Sequence, residues 1–290
     1  MINICTVSDI NYLIKGLTLY DSLIEFSSDF KLHYLCIDDA SFNELKKHET
    51  ESLIPYNIND LLASDAVLSQ LRDRNYKYFC WSLASYFTNY LMKQKIGDIT
   101  YIDSDILMHD DIQTILTAIG DREIGIFRHR QFPLNTPRPE GFYNVGITHF
   151  KADGDVAKHI LNWWADAVLN QKYPHLSTCG DQKYLDEFPN MCPDDLIFID
   201  GDIGHGAPWQ WQLFDFSDFE KDGSIIWEGR KQKLIFSHFS QFVMGENSYQ
   251  PTTMHFPYTP LSDYSSRKEL KLIYDNYYNK LKQTKIKYNG

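Results

Sequence analysis

This sequence predicts an α/β protein built on a mostly parallel sheet, and three observations lead there. Short apolar runs with strand character alternate with longer segments of helical periodicity. Several of those runs stop on acidic or hydroxylated residues. The alternation continues through roughly the first 120 residues, which implies parallel strands covered by helices on both faces. In such sheets ligands bind beyond the carboxyl ends of the strands, where these polar residues would gather.

The first run, Ile2-Asn-Ile-Cys-Thr-Val7, is followed by Ser8-Asp9, expected to cap a helix carrying Leu13, Leu17, Tyr20 and Ile24 at helical spacing. A second strand over 31–37 ends on Asp38-Asp39 and leads into another helix. Residues 79–96 read as a long helix with Phe79, Leu83, Phe87, Tyr90 and Leu91, stopped by Gly97. The next strand opens at Ile99 and ends on two aspartates. Beyond residue 120 the pattern loosens. A strand over 124–127 runs into Arg128-His-Arg130 and a loop with Pro133, Pro137 and Pro139, and a further strand spans 143–150. Then come an amphipathic helix over 155–170 containing Trp163-Trp164, a short one opening at Gly180, and a strand Leu234-Ile-Phe-Ser-His238.

The last segment differs in character. Arg267, Lys268, Lys271, Lys280, Lys282, Lys285 and Lys287 oppose only Glu269 and Asp275, while Leu270, Ile273, Tyr274, Tyr277 and Leu281 keep helical spacing. This divides the chain into a main domain, 1–242, and an extension, 243–290, ending in a basic amphipathic helix. Such a helix either docks on the domain or lies on anionic lipid, where each basic residue near the surface contributes about 1 kcal/mol.

Composition narrows the partners. A net charge of -11 argues against nucleic acid, and it means that an anionic substrate needs a metal or local basic groups. Five scattered cysteines, odd in number and never in a C-x-x-C arrangement, read as reduced thiols. With no long apolar run and no basic leader before the first strand, the expected location is cytoplasmic, with contact at the inner face of the membrane open to the basic helix.

The stretch Ile99-Thr-Tyr-Ile-Asp-Ser-Asp-Ile-Leu-Met108 carries the strongest chemical signal. Side chains alternate along a strand, so Asp103 and Asp105 are expected to point the same way. Two close carboxylates repel each other and are accommodated by a cation or a shared proton between them. His109, Asp110 and Asp111 follow, giving a loop rich in ligands for Mg²⁺ or Mn²⁺.

Taken in order, the motifs resemble bacterial GT-A-fold nucleotide-diphospho-sugar transferases and, more distantly, family 8 glycosyltransferases. The matching pieces are Tyr78-Phe-Cys-Trp-Ser82, Ile99 to Asp105, His129-Arg-Gln-Phe132 and Tyr143-Asn-Val-Gly146. Trp163-Trp164, Gly180-Asp-Gln-Lys-Tyr-Leu-Asp186, Gly206-Ala-Pro-Trp209 and Ile235-Phe-Ser-His-Phe239 continue the series. The resemblance implies a Rossmann-like GT-A sheet, a donor that is a nucleotide-diphosphate sugar (UDP-sugar by preference), and a glycan or glycolipid acceptor in bacterial surface polysaccharide synthesis.

The same resemblance assigns residues. Thr6, Val7, Ser8 and Asp9 would surround the nucleoside, with Ser104, Asn144, Gly146 and Lys183 also toward the donor. Asp103, Asp105 and His238 would hold Mn²⁺ or Mg²⁺, and Asp181 and Gln182 would stand at the sugar and anomeric carbon. Family 8 enzymes continue after the late histidine with Gly and a Lys-Pro-Trp element that binds diphosphate, whereas this chain reads Phe239-Ser-Gln-Phe242. Diphosphate contacts must come from elsewhere, with Arg128, Arg130 or Lys183 as candidates, and stereochemistry stays open. An inverting reaction needs a carboxylate base, for which Asp181 or Asp202 would serve. Trp209, in a Gly/Pro loop with His205, is a candidate cover for the acceptor, and His129 a candidate ligand contact.

Two other readings are open at this stage. Haloacid-dehalogenase-like phosphatases also place D-x-D after a strand, but near the domain start and with Thr or Val two residues on, where this chain has Leu107. A non-catalytic nucleotide-sugar binding protein with a vestigial site would keep the same motifs.

Overall fold

The computed structural model describes residues 1–130, 139–177, 180–253 and 267–288. Seven strands form the central sheet: β1 (Ile2–Ser8), β2 (Phe30–Cys36), β3 (Leu53–Asn57), β4 (Ile99–Ile102), β6 (Ile124–Arg128), β7 (Tyr143–Phe150) and β8 (Ile197–Ile199). Their order is β3-β2-β1-β4-β7-β6-β8. Pairing is parallel except at β7, which runs against both β4 and β6.

Strand alternation sends side chains to two cores. On one face Cys5, Leu35, Ile99, Ile124 and Phe150 pack with α3 (Ile58–Ser64), α4 (Ala66–Arg74), α5 (Tyr76–Lys93) and α7 (Asp155–Leu169). On the other, Ile4, Leu32, Tyr34, Ile102 and Phe127 meet α1 (Leu13–Phe26), α2 (Asp39–Lys46) and α6 (Gln113–Ile119). Each fully buried side chain of Leu or Phe size contributes roughly 1.5–3 kcal/mol, so the two layers carry most of the stability. The expected strands and long helices are present to within a few residues. Trp163 and Trp164 are packing residues, and Trp164 is completely buried.

A smaller sheet forms from β5 (Ile106–Met108), β9 (Gly204–Gly206), β10 (Ser224–Trp227) and β11 (Arg230–His238). Antiparallel pairing sets His238 opposite Ile106, so the end of β11 meets the chain just after the paired aspartates. Beneath it lies a third apolar cluster to which the C-terminal helix, Lys268–Tyr288, gives Leu270, Ile273, Tyr274, Tyr277 and Leu281. Lys280 pairs with Glu25 and Lys287 with Asp21, both on α1. The apolar face of this helix is therefore docked. Among the described residues no helix is long and apolar enough to cross a membrane.

Three local expectations need correction. Ser8-Asp9 does not cap α1, whose cap position is Tyr12; the Asp9 carboxylate instead accepts from the Tyr12 N–H at 3.0 Å, one turn earlier. Ile24 is half exposed rather than on the buried stripe of α1. Asp103 and Asp105 do not sit on a strand, because β4 stops at Ile102 and both belong to the turn before β5, closed by the Ile106 N–H on the Asp103 carbonyl at 3.1 Å.

Candidate active site

The carboxyl ends of β1 and β4, the turn between β4 and β5, the start of β7 and the end of β11 surround a cleft of about 480 Å³. Because β7 is reversed, its first residues reach the same sheet edge as the last residues of its neighbours. Val7, Ser8 and Asp9 line one wall; Asp103, Ser104 and Asp105 form the floor. Asn144, Gln182, Trp209 and His238 complete the opposite side.

Asp103, Asp105 and His238 converge despite the turn. His238 Nε2 lies 3.0 Å from Asp105 Oδ1 and 3.6 Å from Asp103 Oδ2. One ligand atom from each falls within 4.8 Å of the others. The Asp103 main-chain N–H donates to the Gly146 carbonyl at 2.8 Å, and the Tyr101 hydroxyl donates to Asp103 Oδ1 at 2.7 Å. The Phe239 N–H donates to the Asp105 carbonyl at 2.9 Å, tying the histidine strand to the aspartate turn.

The triad is electrostatically linked. Burial pushes the Asp105 carboxyl up, but the adjacent His238 and then Lys15 pull it down, and the net position is below the ordinary value. Burial raises the Asp103 carboxyl above its usual range, with His238 opposing and Asp105 adding to the rise. His238 is held above its ordinary 6.5: burial works against the charge, but Asp105 and then Asp103 favour it. A protonated His238 would offset the two carboxylates as a divalent cation would. Two carboxylates and an imidazole on three fixed segments are a suitable donor set for Mn²⁺ or Mg²⁺, and His238 Nδ1 has no competing hydrogen-bond partner among the described residues.

Gly146 has a spatial reason. A Cβ there would lie 2.5 Å from Asn144 Oδ1 and 2.9 Å from His238 Nδ1, so only glycine lets the histidine sit against β7. The Asn144 side chain is fixed at both ends, accepting from the Gly146 N–H at 2.8 Å and donating to Gln182 Oε1 at 2.9 Å. Gln182 in turn donates to the Glu140 carbonyl at 2.9 Å. Its amide is oriented before any ligand arrives.

Asp181 lies behind this wall. Its carboxyl is buried, with Oδ2 unpartnered among the described residues, and burial followed by the charge on Asp103 pushes it well above the carboxylate range. The Trp164 indole N–H donates to its carbonyl at 3.0 Å. Thr6 is buried within β1 and does not line the cleft.

Other expected residues fall elsewhere. Arg128 and Arg130 do not line the cleft: Arg130 Nε donates to Asp200 at 2.9 Å with its guanidinium over Trp227, and Arg128 Nη1 lies 3.8 Å from the same carboxylate. His205 is buried 3.5 Å from Asp200 as well, and burial lowers it to about 4. Asp202 is exposed beside Arg230, which removes it as a base. Lys183 lies outside the cleft lining, near Asp186. His109, Asp110 and Asp111 follow β5 at its far end, where His109 meets Ser237 at 2.8 Å, Asp110 pairs with Lys233 at 2.6 Å, and Asp111 accepts from the Gln113 N–H. Pro133, Pro137, Gln131 and Phe132 lie outside the described residues.

Trp209 is buried with its ring 4.6 Å from His129 and 5.3 Å edge-on to His238, so it borders the triad. The cleft also contains residues that the sequence did not single out for it, including Tyr12, Tyr101, Glu140 and Ser240. Trp81, read as packing, lines it too and is 39% exposed. No lysine or arginine appears among its described lining residues.

A seven-stranded, mostly parallel sheet with one reversed strand, covered by helices, is the arrangement of the GT-A fold, and the comparisons agree. Mouse xyloside xylosyltransferase 1 superposes with a TM-score of 0.54 at 16% identity over 82% of this chain and 97% of that one. The galactosyltransferase LgtC, solved with donor and acceptor sugar analogues, gives 0.54 at 14% identity over 82% and 86%. In sequence, the uncharacterized protein YfnD of Bacillus subtilis is 22% identical over 247 residues, 82% of this chain and 77% of its own. No family model matches the chain.

Proposed function

We propose that this protein is a metal-dependent glycosyltransferase that takes a sugar from a nucleotide-diphosphate donor, UDP-sugar by preference, and passes it to a glycan or glycolipid acceptor. Bacterial surface polysaccharide synthesis is the setting that this acceptor class suggests. The observation that carries the reading is the meeting of Asp103, Asp105 and His238 at the floor of the cleft. Glycosyltransferase neighbours with the same fold support it.

Asp103, Asp105 and His238 would hold Mn²⁺ or Mg²⁺. A divalent ion there, acting as a Lewis acid, supplies charge stabilisation to a departing diphosphate, worth several kcal/mol in the transition state. The remaining work belongs to the chain. Val7, Ser8 and Asp9 form the wall against the nucleoside, with Thr6 buried behind them. Ser104 and Asn144 face the donor from the floor and side. Gly146 leaves room for His238, and Gln182, fixed by Asn144 and Glu140, presents a preorganised amide to the sugar. Asp181 stands behind, where a raised carboxyl with one free oxygen can exchange a proton or a hydrogen bond as the sugar binds.

Thermal-shift titration with UDP-, GDP- and CMP-sugars, with and without Mn²⁺, tests the reading. A Mn²⁺-dependent shift with one nucleotide class, followed by release of that nucleotide on incubation, is expected. No shift with any donor would overturn it. A shift without turnover would favour a non-catalytic binding protein. Trapping of an aspartyl phosphate by beryllium fluoride would favour the phosphatase chemistry, against which the glycosyltransferase-type fold speaks.

A further inference from the structure

Resting on that reading, the cleft has a charge deficit that the structure resolves in an unexpected place. A diphosphate seated on Asp103, Asp105 and one divalent ion is still anionic overall, and no lysine or arginine lines the described cleft. Arg130 is held by Asp200, and Arg128, about half exposed with its guanidinium 3.8 Å from the same carboxylate, lies outside the cleft lining.

Behind Tyr12 lies a second cavity, of about 440 Å³, which shares that ring with the cleft. Lys15 of α1 lines it and is 9% exposed. Its ammonium sits over the Tyr12 ring, 3.9 Å from the centroid. Among the described residues it makes no ion pair and no side-chain hydrogen bond. The aliphatic stem is buried while the ammonium opens on this cavity, so the charge is free to meet an anion brought to it. Burial works against the charge on Lys15, while Asp105 and then Asp9 favour it. Asn11 and Gln241 add amide groups to the same cavity.

We infer that Lys15 is the protein's own cationic contact for the diphosphate of the donor, reaching from the cavity behind Tyr12 to the anion held at the Asp103–Asp105–His238 floor. A cation on α1 then serves where the segment after His238, Phe239-Ser-Gln-Phe242, offers none. The long flexible stem suits the task, because the ammonium can leave the aromatic face for a phosphate oxygen without backbone movement.

The test compares Mn²⁺ alone, uridine with Mn²⁺, and UDP with Mn²⁺, by calorimetric titration of wild type, Lys15→Met and Lys15→Arg. Loss of the charge-assisted contact should weaken UDP roughly tenfold to a hundredfold in Lys15→Met while leaving uridine unchanged. Mn²⁺ alone should bind Lys15→Met as well as or better than wild type, since a repelling charge is gone. Lys15→Arg should recover part of the UDP affinity. Lys15→Gln provides a second neutral variant should Lys15→Met fold poorly. Equal UDP affinity in wild type and both neutral variants, or parallel loss of UDP and uridine, would overturn the inference and leave the function standing. Failure of wild type to bind any nucleoside diphosphate would remove the functional reading itself, and this inference with it.

Discussion

The rings of Phe239 and Tyr277 lie face to face, centroids 3.8 Å apart and planes 8° from parallel. Phe239 follows His238 directly, and Tyr277 is the completely buried centre of the C-terminal helix. The helix therefore supports the end of β11 and the histidine that it presents. Tyr277→Ala should cost about 3–5 kcal/mol in denaturant unfolding, as large aromatic truncations do. It should also weaken Mn²⁺ binding. Tyr277→Phe keeps the stack and removes a hydroxyl with no partner among the described residues, so its stability should match or exceed wild type.

Asp105→Ala should abolish the Mn²⁺-dependent thermal shift while the far-ultraviolet circular dichroism stays that of wild type. The side chain meets His238 and not the apolar layers. A shift of undiminished size in this variant would remove the metal assignment.

Metal binding should depend steeply on pH. His238 must be neutral to ligate, yet Asp105 and Asp103 hold its proton above 6.5 against the opposing effect of burial. Mn²⁺ affinity should fall about tenfold per pH unit once pH drops below that raised value, with proton release on binding measurable by calorimetry in buffers of different ionisation enthalpy. In metal-free protein the sign reverses. The imidazolium's contribution to stability is complete below 6.5 and fades as pH rises through the folded-state value.

Gly146→Ala should fail at the site before it fails in the fold. The added methyl meets Asn144 Oδ1 and His238 Nδ1, and both must move. A stability loss of about 1–3 kcal/mol and a tenfold to hundredfold drop in Mn²⁺ affinity are expected, measured by chemical denaturation and titration.

Asp181→Asn should stabilise the metal-free protein at alkaline pH. Burial and then Asp103 raise this carboxyl, so the wild type loses stability as pH rises from the ordinary carboxylate value toward the raised one and bears the full cost above it. The difference in melting temperature, measured in EDTA, should grow as pH rises through that window and should close as pH approaches the ordinary carboxylate value near 3.8.

Much of the fold was legible because strands and helices here follow their own periods. The run from Tyr143 to Phe150 and the helix starting at Asp155 appear where apolar spacing puts them. The paired aspartates were legible as a pair but not as a turn. Period-two alternation says how side chains point within a strand and nothing about where the chain leaves it. His238 was readable as a histidine ending a strand, but its 3.0 Å approach to Asp105 depends on the antiparallel pairing of β11 with β5. Arg128 and Arg130 were misread because their partner, Asp200, lies about 70 residues away and is brought in by β8. Lys15 escaped notice for the opposite reason: a lysine inside an amphipathic helix looks solvated until packing closes over it.

The single reversed strand has a consequence for how this protein can vary. Because β7 enters the edge that bears the cleft with its amino end, its exit at Lys151–Gly154 opens on the far rim of the sheet. Lengthening that exit would leave the floor of the cleft untouched. One extra residue inside Asn144–Gly146 would exchange the two faces of the strand and put a side chain where the imidazole now rests.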